Sequence, residues 1–357
     1  MAHRLWTWLG GLAGALAAAF AGPAAAQSRL FSDDAPLQIA ITAPFPSLVH
    51  AAKTRTDPFP ATLTLTDGAA PQNFATQLRA RGLTRRTGGY CQFPPLSVTF
   101  DKAAVKGTLF KGQHRLKLVT YCNTPADQEQ RIVLEYLVYR LYNLVTPMSY
   151  KVRPAEVTYR TSDKDGGLKR FGYLIEDIDD VADRNHRERL KAASHQVTSA
   201  QLDPRGTGRA ALLEYMIGNL DWDFLAAPAG AECCHNSRFL AAKGATTANA
   251  SAVVPVPYDF DYSGFVDAPY ALPPESLKIS KVTERVYRGY CVSTPEMPAV
   301  IDEFKSHRAE MMALIAGYPA LTPKFRAKTA AFMDGFFATL DDPARVQAQI
   351  IKHCRQG

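Results

Sequence analysis

Two aspartates follow an apolar, strand-like segment in the second half of the chain. Asp259 and Asp261 alternate with aromatic residues in the segment 257–262. In an extended chain, alternate residues point to the same face about 7 Å apart. Such a carboxylate pair suits a hard divalent cation that also binds phosphate oxygens. A polar turn with solvated acids is the alternative.

A second group of polar residues lies between residues 219 and 236. Asp221 and Asp223 follow Asn219, and Asn236 comes next to His235 further along the chain. A loop aspartate can accept a proton from an attacking hydroxyl, and an asparagine nearby can help to hold a metal ion. The sequence alone leaves Asp221 and Asp223 as competing candidates for the catalytic acid/base.

A single glutamate interrupts the most apolar helical segment of the chain. Glu135 must there be paired or neutralised, because an isolated buried charge is costly. Arg131, one helical turn earlier, is one partner; Lys117, on the preceding strand, is the other. A strand lysine paired with a helix glutamate holds nucleotide phosphates in protein kinases. Other lysines of the same region compete for this role: Lys102, Lys106 and Lys111.

Four arginines surround a glycine in the first third of the chain: Arg79, Arg81, Arg85 and Arg86. Guanidinium groups match phosphate oxygens in geometry, so this segment could hold phosphates. A solvated basic hairpin explains it equally well, and the sequence contains no glycine-rich nucleotide-binding fingerprint.

The elements that must position these residues form two kinds of region. Residues 36–122 alternate in short runs typical of strands, the segment 126–145 reads as one long buried helix, and a hairpin follows near 152–159 and 168–175. From about residue 181 the chain is mainly helical. This order predicts an α+β fold with two lobes: a β-rich N-terminal lobe (27–125), a linking helix and hairpin (126–180) and a mainly helical C-terminal lobe (181–357).

The first 26 residues predict a signal peptide. His3 and Arg4 precede an apolar run, and an Ala-x-Ala triplet ends at Ala26. We therefore expect a periplasmic or secreted protein cleaved after Ala26, although a retained membrane anchor is the alternative. No later segment is apolar enough to span a bilayer, and the net charge of +7 is divided among clusters of both signs, so no nucleic-acid partner is indicated.

The chain contains six cysteines, an even number that after a signal peptide suggests disulfides. Cys91 and Cys122 flank a block of predicted strands and are the pair that we expect. Zinc is the alternative for Cys233 and Cys234 beside His235, but a second ligand pair at a usable spacing is missing from the sequence.

These residues together resemble the CotH family, the spore-coat protein H kinases. The segment 79–85 is similar to that family's arginine-glycine strand motif, and the segment 171–178 to its GxYxLxExI stretch. Residues 118–121, followed by 136–144, look like its strand and long helix. Residues 218–221 and 258–261 look like its catalytic-loop and metal-binding segments. The resemblance spans roughly residues 66–264 and depends on five weak motifs that occur in the right order.

The resemblance implies an atypical protein-kinase-like fold, with ATP and magnesium or manganese as cofactors and a protein hydroxyl as phosphate acceptor. Carried over by position, Asp221 is the acid/base, Asp259 the principal metal ligand and Asn236 its helper. Lys117 and Glu135 place the phosphates, with Arg79 and Arg81 nearby, and Glu176 lies beside the nucleotide base. Because ATP is scarce outside the cytoplasm, a non-catalytic secreted binding or envelope-associated module is one alternative, and a metal-dependent phosphoester hydrolase is another.

Overall fold

The computed structural model describes residues 29–68, 70–162 and 166–357. The predicted signal peptide lies outside these residues. The strands, in chain order, are β1 (Leu37–Thr42), β2 (Phe59–Leu65), β3 (Gln72–Ala80), β4 (Leu96–Phe100), β5 (Arg115–Val119), β6 (Val152–Arg160), β7 (Leu168–Ile175), β8 (Glu188–Leu190), β9 (Ser237–Ala241) and β10 (Val254–Pro257). The helices are α1 (Phe45–Ala52), α2 (Thr84–Thr87), α3 (Ala126–Val145), α4 (Ile178–Arg184), α5 (Pro204–Ile217), α6 (Met297–Ser306), α7 (Arg308–Gly317), α8 (Pro323–Leu340) and α9 (Pro343–Gln349).

The first seven strands form a closed barrel in the order β1-β2-β3-β4-β5-β7-β6. Neighbouring strands are antiparallel except β1 and β6, which close the barrel in parallel, with Leu37 opposite Ala155. Alternate residues of β3, such as Phe74 and Leu78, point into the barrel core, and those between them are exposed. Closure leaves no unpaired strand edge in the barrel.

The expectation of a two-lobed protein-kinase-like fold, with a β-sheet N-terminal lobe and a helical C-terminal lobe, is wrong. The hairpin β6–β7, which was expected to link the lobes, completes the barrel because β7 pairs with β5 and β6 pairs with β1. Alternation along a strand shows which side chains are buried but not which strand is its neighbour. The pairing of residues 37–42 with 155–160 is therefore invisible in local sequence patterns.

Helix α3 joins the barrel to the helical part of the molecule. It begins after Pro125, carries Asp127 and Glu129 in its first turn, where acidic residues favour helix formation, and ends at Thr146, just before a proline. It packs on β6 and β7 on one side and on α5 and α7 on others, so nearly its whole circumference is buried. An antiparallel sheet of β8, β9 and β10 adjoins this helical core.

All six cysteines are paired in three disulfides: Cys91–Cys122, Cys233–Cys234 and Cys291–Cys354. The first is the predicted pair, and the second rules out the zinc alternative here because disulfide sulfurs are not thiolate ligands. These bonds are compatible with a secreted or periplasmic protein. Of the helices in the described ranges, none has the length and apolar character to cross a membrane.

Replacing both Cys291 and Cys354 by alanine should lower the free energy of unfolding by about 4 kcal/mol, because their bond closes a loop with a sequence separation of 63. The Cys91→Ala/Cys122→Ala variant, with a separation of 31, should lose slightly less. Urea unfolding followed by circular dichroism measures both. An unchanged midpoint in the first variant would contradict the prediction.

Candidate active site

Most residues singled out in the sequence line one cavity of about 380 Å³. It opens between the β3–α2 segment of the barrel, α3, and the loops that precede β9 and follow β10. The lining residues are Arg81, Gly82, Leu83, Thr84, Arg85, Pro95, Val119, Glu135, Asp221, Pro228, His235, Asn236, Asp259, Asp261 and Tyr262.

The side chain of Asp221 is held by His235 and Asn236, two residues that follow it in the sequence at some distance. Helix α5 ends at Gly218, whose left-handed backbone (φ +64°) turns the chain toward the cavity. One carboxylate oxygen of Asp221 lies 2.7 Å from Nε2 of His235. The Asn236 side-chain amide donates to the other oxygen at 3.1 Å and to the Asp221 carbonyl at 2.6 Å. This hydrogen bond to Asp221 raises the pKa of His235, against the opposing effect of burial.

The chain between Asp221 and Asn236 folds back so that the two residues meet. The His235 N–H donates to the Ala226 carbonyl at 2.9 Å, and the Asp223 N–H donates to the His235 carbonyl at 3.1 Å. Asn236 adopts a left-handed backbone, φ +52°, which asparagine tolerates better than most residues. The chain between Asp221 and Asn236 is far longer than the corresponding spacing in typical kinase catalytic loops, and this fold brings the two side chains into contact.

Asp223, the competing acid/base candidate, lies outside this cavity. Burial raises its pKa, but hydrogen bonds from Tyr290 and from backbone N–H groups, with the nearby Arg355, lower it overall. Tyr290 donates at 2.6 Å and Arg355 at 3.0 Å. The Cys291–Cys354 disulfide fixes the C-terminal segment that supplies Arg355. With its oxygens so occupied, Asp223 supports the loop, and Asp221 faces the cavity.

Asp259 and Asp261 reach the cavity on a tight turn after β10. The left-handed backbone of Asp259, φ +67°, breaks the extended geometry that the sequence predicted. Its N–H donates to the Tyr139 hydroxyl at 3.0 Å, and Tyr270 donates to Asp261 at 2.9 Å. Both aspartates still line the cavity. Burial and the negative charge of Asp259 raise the pKa of Asp261 to about 7.

Glu135 faces Arg85, rather than Lys117 or Arg131. Its carboxylate lies 3.9 Å from the Arg85 guanidinium, and the two side chains are only 2% and 7% exposed. Arg85 also donates to the Thr120 carbonyl at 2.7 Å, whereas Arg131 donates to the Val266 carbonyl at 2.9 Å. Burial, followed by the charge of Asp261, raises the pKa of Glu135 to about 8.

Lys117 lies on the outer face of the barrel, between Leu116 and Leu118, which point into the barrel core. Its ammonium group is 4.7 Å from the centre of the Tyr258 ring, next to Asp259 in the chain. Burial lowers the pKa of Lys117 to about 8, with the positive charge of Arg81 acting in the same direction. Lys117 is therefore close to the cavity's acidic turn without lining the cavity.

Two further candidates lie away from the cavity. Arg79 is exposed on β3, two residues before the cavity-lining Arg81. Glu176 is buried and accepts hydrogen bonds from Arg184 at 3.0 Å and from the Lys151 N–H at 2.9 Å. The pairing of Glu176 with Arg184 gives this carboxylate a structural role at the end of β7.

Among the charged residues that line the cavity, carboxylates outnumber basic side chains. These charged residues are the carboxylates Asp221, Glu135, Asp259 and Asp261 and the cations Arg81, Arg85 and His235. Oε2 of Glu135 has no hydrogen-bond partner among the residues that the structure describes. Burial is the main cause of the raised pKa values of Glu135 and Asp261, and the neighbouring carboxylates add a repulsion that a bound cation would relieve.

The lining of this cavity is compatible with an open site for a divalent cation, not with a closed cage. Within the described ranges, no three His, Cys, Asp or Glu side chains come together to hold a metal ion. Magnesium commonly uses one or two carboxylates and completes its shell with water and substrate phosphates. Asp259, Asp261 and the Asn236 side-chain oxygen offer hard ligands of this kind.

Sequence reasoning missed the pairing of Arg85 with Glu135 and the hydrogen bond from Tyr270 to Asp261. Arg85 belongs to the arginine segment already noted, but its pairing with Glu135 depends on Gly82, at which the strand gives way to the short helix α2. Tyr270 carried no sequence signal. No protein-family model and no curated protein matches the chain.

Proposed function

We propose that this protein transfers the γ-phosphoryl group of ATP to a hydroxyl group of a protein, with magnesium or manganese as cofactor. The observation that carries the proposal is the convergence of Asp221, Asn236, Asp259, Asp261 and Arg85 on one cavity. These are the residue types that phosphoryl transfer requires: a proton acceptor, oxygen ligands for a metal ion and a cation for phosphate oxygens.

Asp221 is the acid/base of the proposed reaction. Its carboxylate accepts the proton of the acceptor hydroxyl while that oxygen forms a bond to the γ-phosphorus and the bond from phosphorus to the β–γ bridging oxygen breaks, so that ADP leaves. His235 and Asn236 hold the Asp221 side chain in place through hydrogen bonds of 2.7 and 3.1 Å. Such positioning matters because proton transfer requires hydrogen-bond contact.

The remaining residues bind the nucleotide. Arg81 and Arg85 bind phosphate oxygens, since guanidinium groups match their geometry, and Glu135 orients Arg85. Asp259, Asp261 and Asn236 hold the metal ion, which when bound neutralises charge on the phosphates. Lys117 adds positive charge beside the acidic turn. The wild-type carboxylates repel one another, so metal and nucleotide are expected to bind together.

The first test is thermal unfolding of the oxidised mature protein with and without ATP and magnesium. The wild type should be stabilised only when both are present, and Asp259→Asn should lose this effect because the charge that holds the cation is gone. Asparagine preserves the size of the side chain and tolerates the left-handed backbone. Asp267→Asn is the matched control, because Asp267 is also left-handed (φ +51°) but pairs with Lys328 instead of lining the cavity.

Three outcomes separate the proposal from its alternatives. Stabilisation by metal alone, indifferent to nucleotide, would favour a binding module. Release of phosphate from a simple phosphoester without ATP would favour a hydrolase that uses the same carboxylates. Equal incorporation of radiolabelled phosphate by the wild type, Asp221→Ala and Asp259→Ala would refute the proposal.

We also propose that the protein is exported to the periplasm or beyond after cleavage at Ala26. Three disulfides support an oxidising compartment. Mass spectrometry of the exported protein should find Gln27 as its first residue. An intact N-terminus on protein recovered from the membrane fraction would instead show a retained anchor.

A further inference from the structure

Asp221 is the meeting point of three depressions. The first is the cavity described above. The second, here called the leucine groove, has a volume of about 220 Å³ and is lined by Asp221 with Gly218, Leu220, Tyr262, Leu272, Pro274 and Val282. The third, the tryptophan groove, has about 380 Å³ and is lined by Trp222, Ala226, Ala227 and Pro228 and by the polar residues Asp223, His235 and Arg288, along with Leu220, Asp221 and Pro274. The two grooves share these last three residues, so they meet beside Asp221.

The grooves differ from the main cavity in charge. The leucine groove contains Asp221 as its single charged residue. In the tryptophan groove, Asp223 is paired with Arg355 at 3.0 Å, and Arg288 donates to the Leu220 carbonyl. The carboxylates Glu135, Asp259 and Asp261 and the arginines thus line the main cavity, His235 lies between it and the tryptophan groove, and most other residues of the two grooves are apolar.

The apolar surface continues onto the exterior around the mouth of the site. Of the described residues, the large hydrophobic side chains that are exposed are Leu83, Tyr90 and Leu272, at 71%, 49% and 68%. Leu83 lines the main cavity and Leu272 the leucine groove. Tyr90 contacts Tyr270, with ring centres 5.9 Å apart. Exposed apolar groups concentrated around a candidate catalytic residue indicate a binding surface rather than scattered surface variation.

We infer that the acceptor is an extended polypeptide segment that carries apolar side chains two positions away from its reacting hydroxyl residue, and that Leu272 helps to select it. This inference rests on the proposed function. The hydroxyl lies at Asp221, its apolar neighbours occupy the leucine and tryptophan grooves, and the nucleotide occupies the main cavity. The reacting hydroxyl gives its proton to Asp221 and gains the phosphoryl group, and ADP leaves.

The shape and chemistry of the grooves favour a polypeptide over a small polyol acceptor. Residues two positions apart along an extended chain share a face and lie about 7 Å apart, so the side chains two positions before and two positions after a bound hydroxyl residue can reach the two grooves. A sugar would instead require several hydrogen-bonding groups. Leucine, proline, alanine and tryptophan side chains provide few of these.

Synthetic peptides test the inference. Each contains one serine, threonine or tyrosine, with leucine or glycine two positions before and two positions after it, and phosphorylation by the mature oxidised protein is measured with ATP and magnesium. Leucine-flanked peptides should have the lower KM. Leu272→Asp should raise that KM about tenfold, because it replaces an apolar contact with the bound peptide by a charge beside Asp221.

Nucleotide binding distinguishes failure of this inference from failure of the proposed function. Thermal stabilisation by ATP and magnesium should be the same in the wild type, Leu272→Asp and the control Ala313→Asp, since Ala313 is exposed on α7 outside the grooves. Normal stabilisation with no preference for leucine-flanked peptides, or with an unchanged KM in Leu272→Asp, would overturn the acceptor site alone. Absence of both stabilisation and transfer in the wild type would overturn the proposed function and the acceptor site with it.

Discussion

Replacement of Asp221 by asparagine should lower the rate of phosphoryl transfer by about 10²- to 10⁴-fold while leaving stabilisation by ATP and magnesium intact. Asparagine has nearly the same shape but cannot accept the proton of the acceptor hydroxyl. The nucleotide is bound mainly by Arg81, Arg85 and the Asp259 turn, which this substitution leaves unchanged. Radiolabelled phosphate incorporation measures the rate, and thermal unfolding measures binding.

Asp223→Asn should show the opposite behaviour. Asp223 accepts hydrogen bonds from Tyr290 and Arg355, so its loss should reduce stability more than the intrinsic rate of transfer. Asp302→Asn, at an exposed position on α6, is the neutral control. If Asp223→Asn abolished transfer in folded protein and Asp221→Asn did not, the assignment of the acid/base would be reversed.

Above pH 8, where Glu135 is ionised, Arg85→Met should lower the free energy of unfolding by about 3–5 kcal/mol, because it leaves a buried carboxylate without its cation. Glu135 is 2% exposed, and Arg85 is its ion-pair partner at 3.9 Å. The double variant Arg85→Met/Glu135→Leu should recover much of this loss while still failing to bind ATP. Recovery of stability without recovery of binding would mean that the buried pair serves nucleotide binding rather than folding.

An exposed ion pair provides the control for this experiment. Lys169→Met breaks the pair with Glu156, where both side chains are largely exposed, and should cost no more than about 1 kcal/mol. Urea unfolding measures all variants. If Arg85→Met cost as little as Lys169→Met, the buried pair would not have the electrostatic importance described above.

In metal-free protein, Glu135 makes the free energy of unfolding depend on pH. The pKa of Glu135 is about 8 in the folded state, above its ordinary value of 4.5, so the folded state binds the proton more tightly than the unfolded state. Its contribution to the free energy of unfolding is therefore fully present at low pH and falls as pH rises through 4.5 toward 8, with a slope of up to about 1.4 kcal/mol per pH unit. The double variant should have a flatter pH profile over this window.

The sequence by itself determined the type and approximate order of the candidate residues. Asp221, Asn236, Asp259, Asp261 and Glu135 stood out because charged or polar groups interrupt apolar segments or crowd strand ends, and those patterns are local. The helix at 126–145 was also predicted from local features, because its apolar composition and the signals at its ends lie within the segment itself.

The tertiary structure decided which of these residues meet and how the strands are joined. Closure of the barrel depends on pairing β1 with β6, more than a hundred residues apart. The same long-range packing placed Arg85 against Glu135. It placed Lys117 over the Tyr258 ring. It also paired Asp223 with Tyr290 and Arg355, so that Asp221 faces the cavity. In each case several chemically similar partners were available. The partner that is used is the one that folding brings close, and local sequence patterns do not encode that proximity.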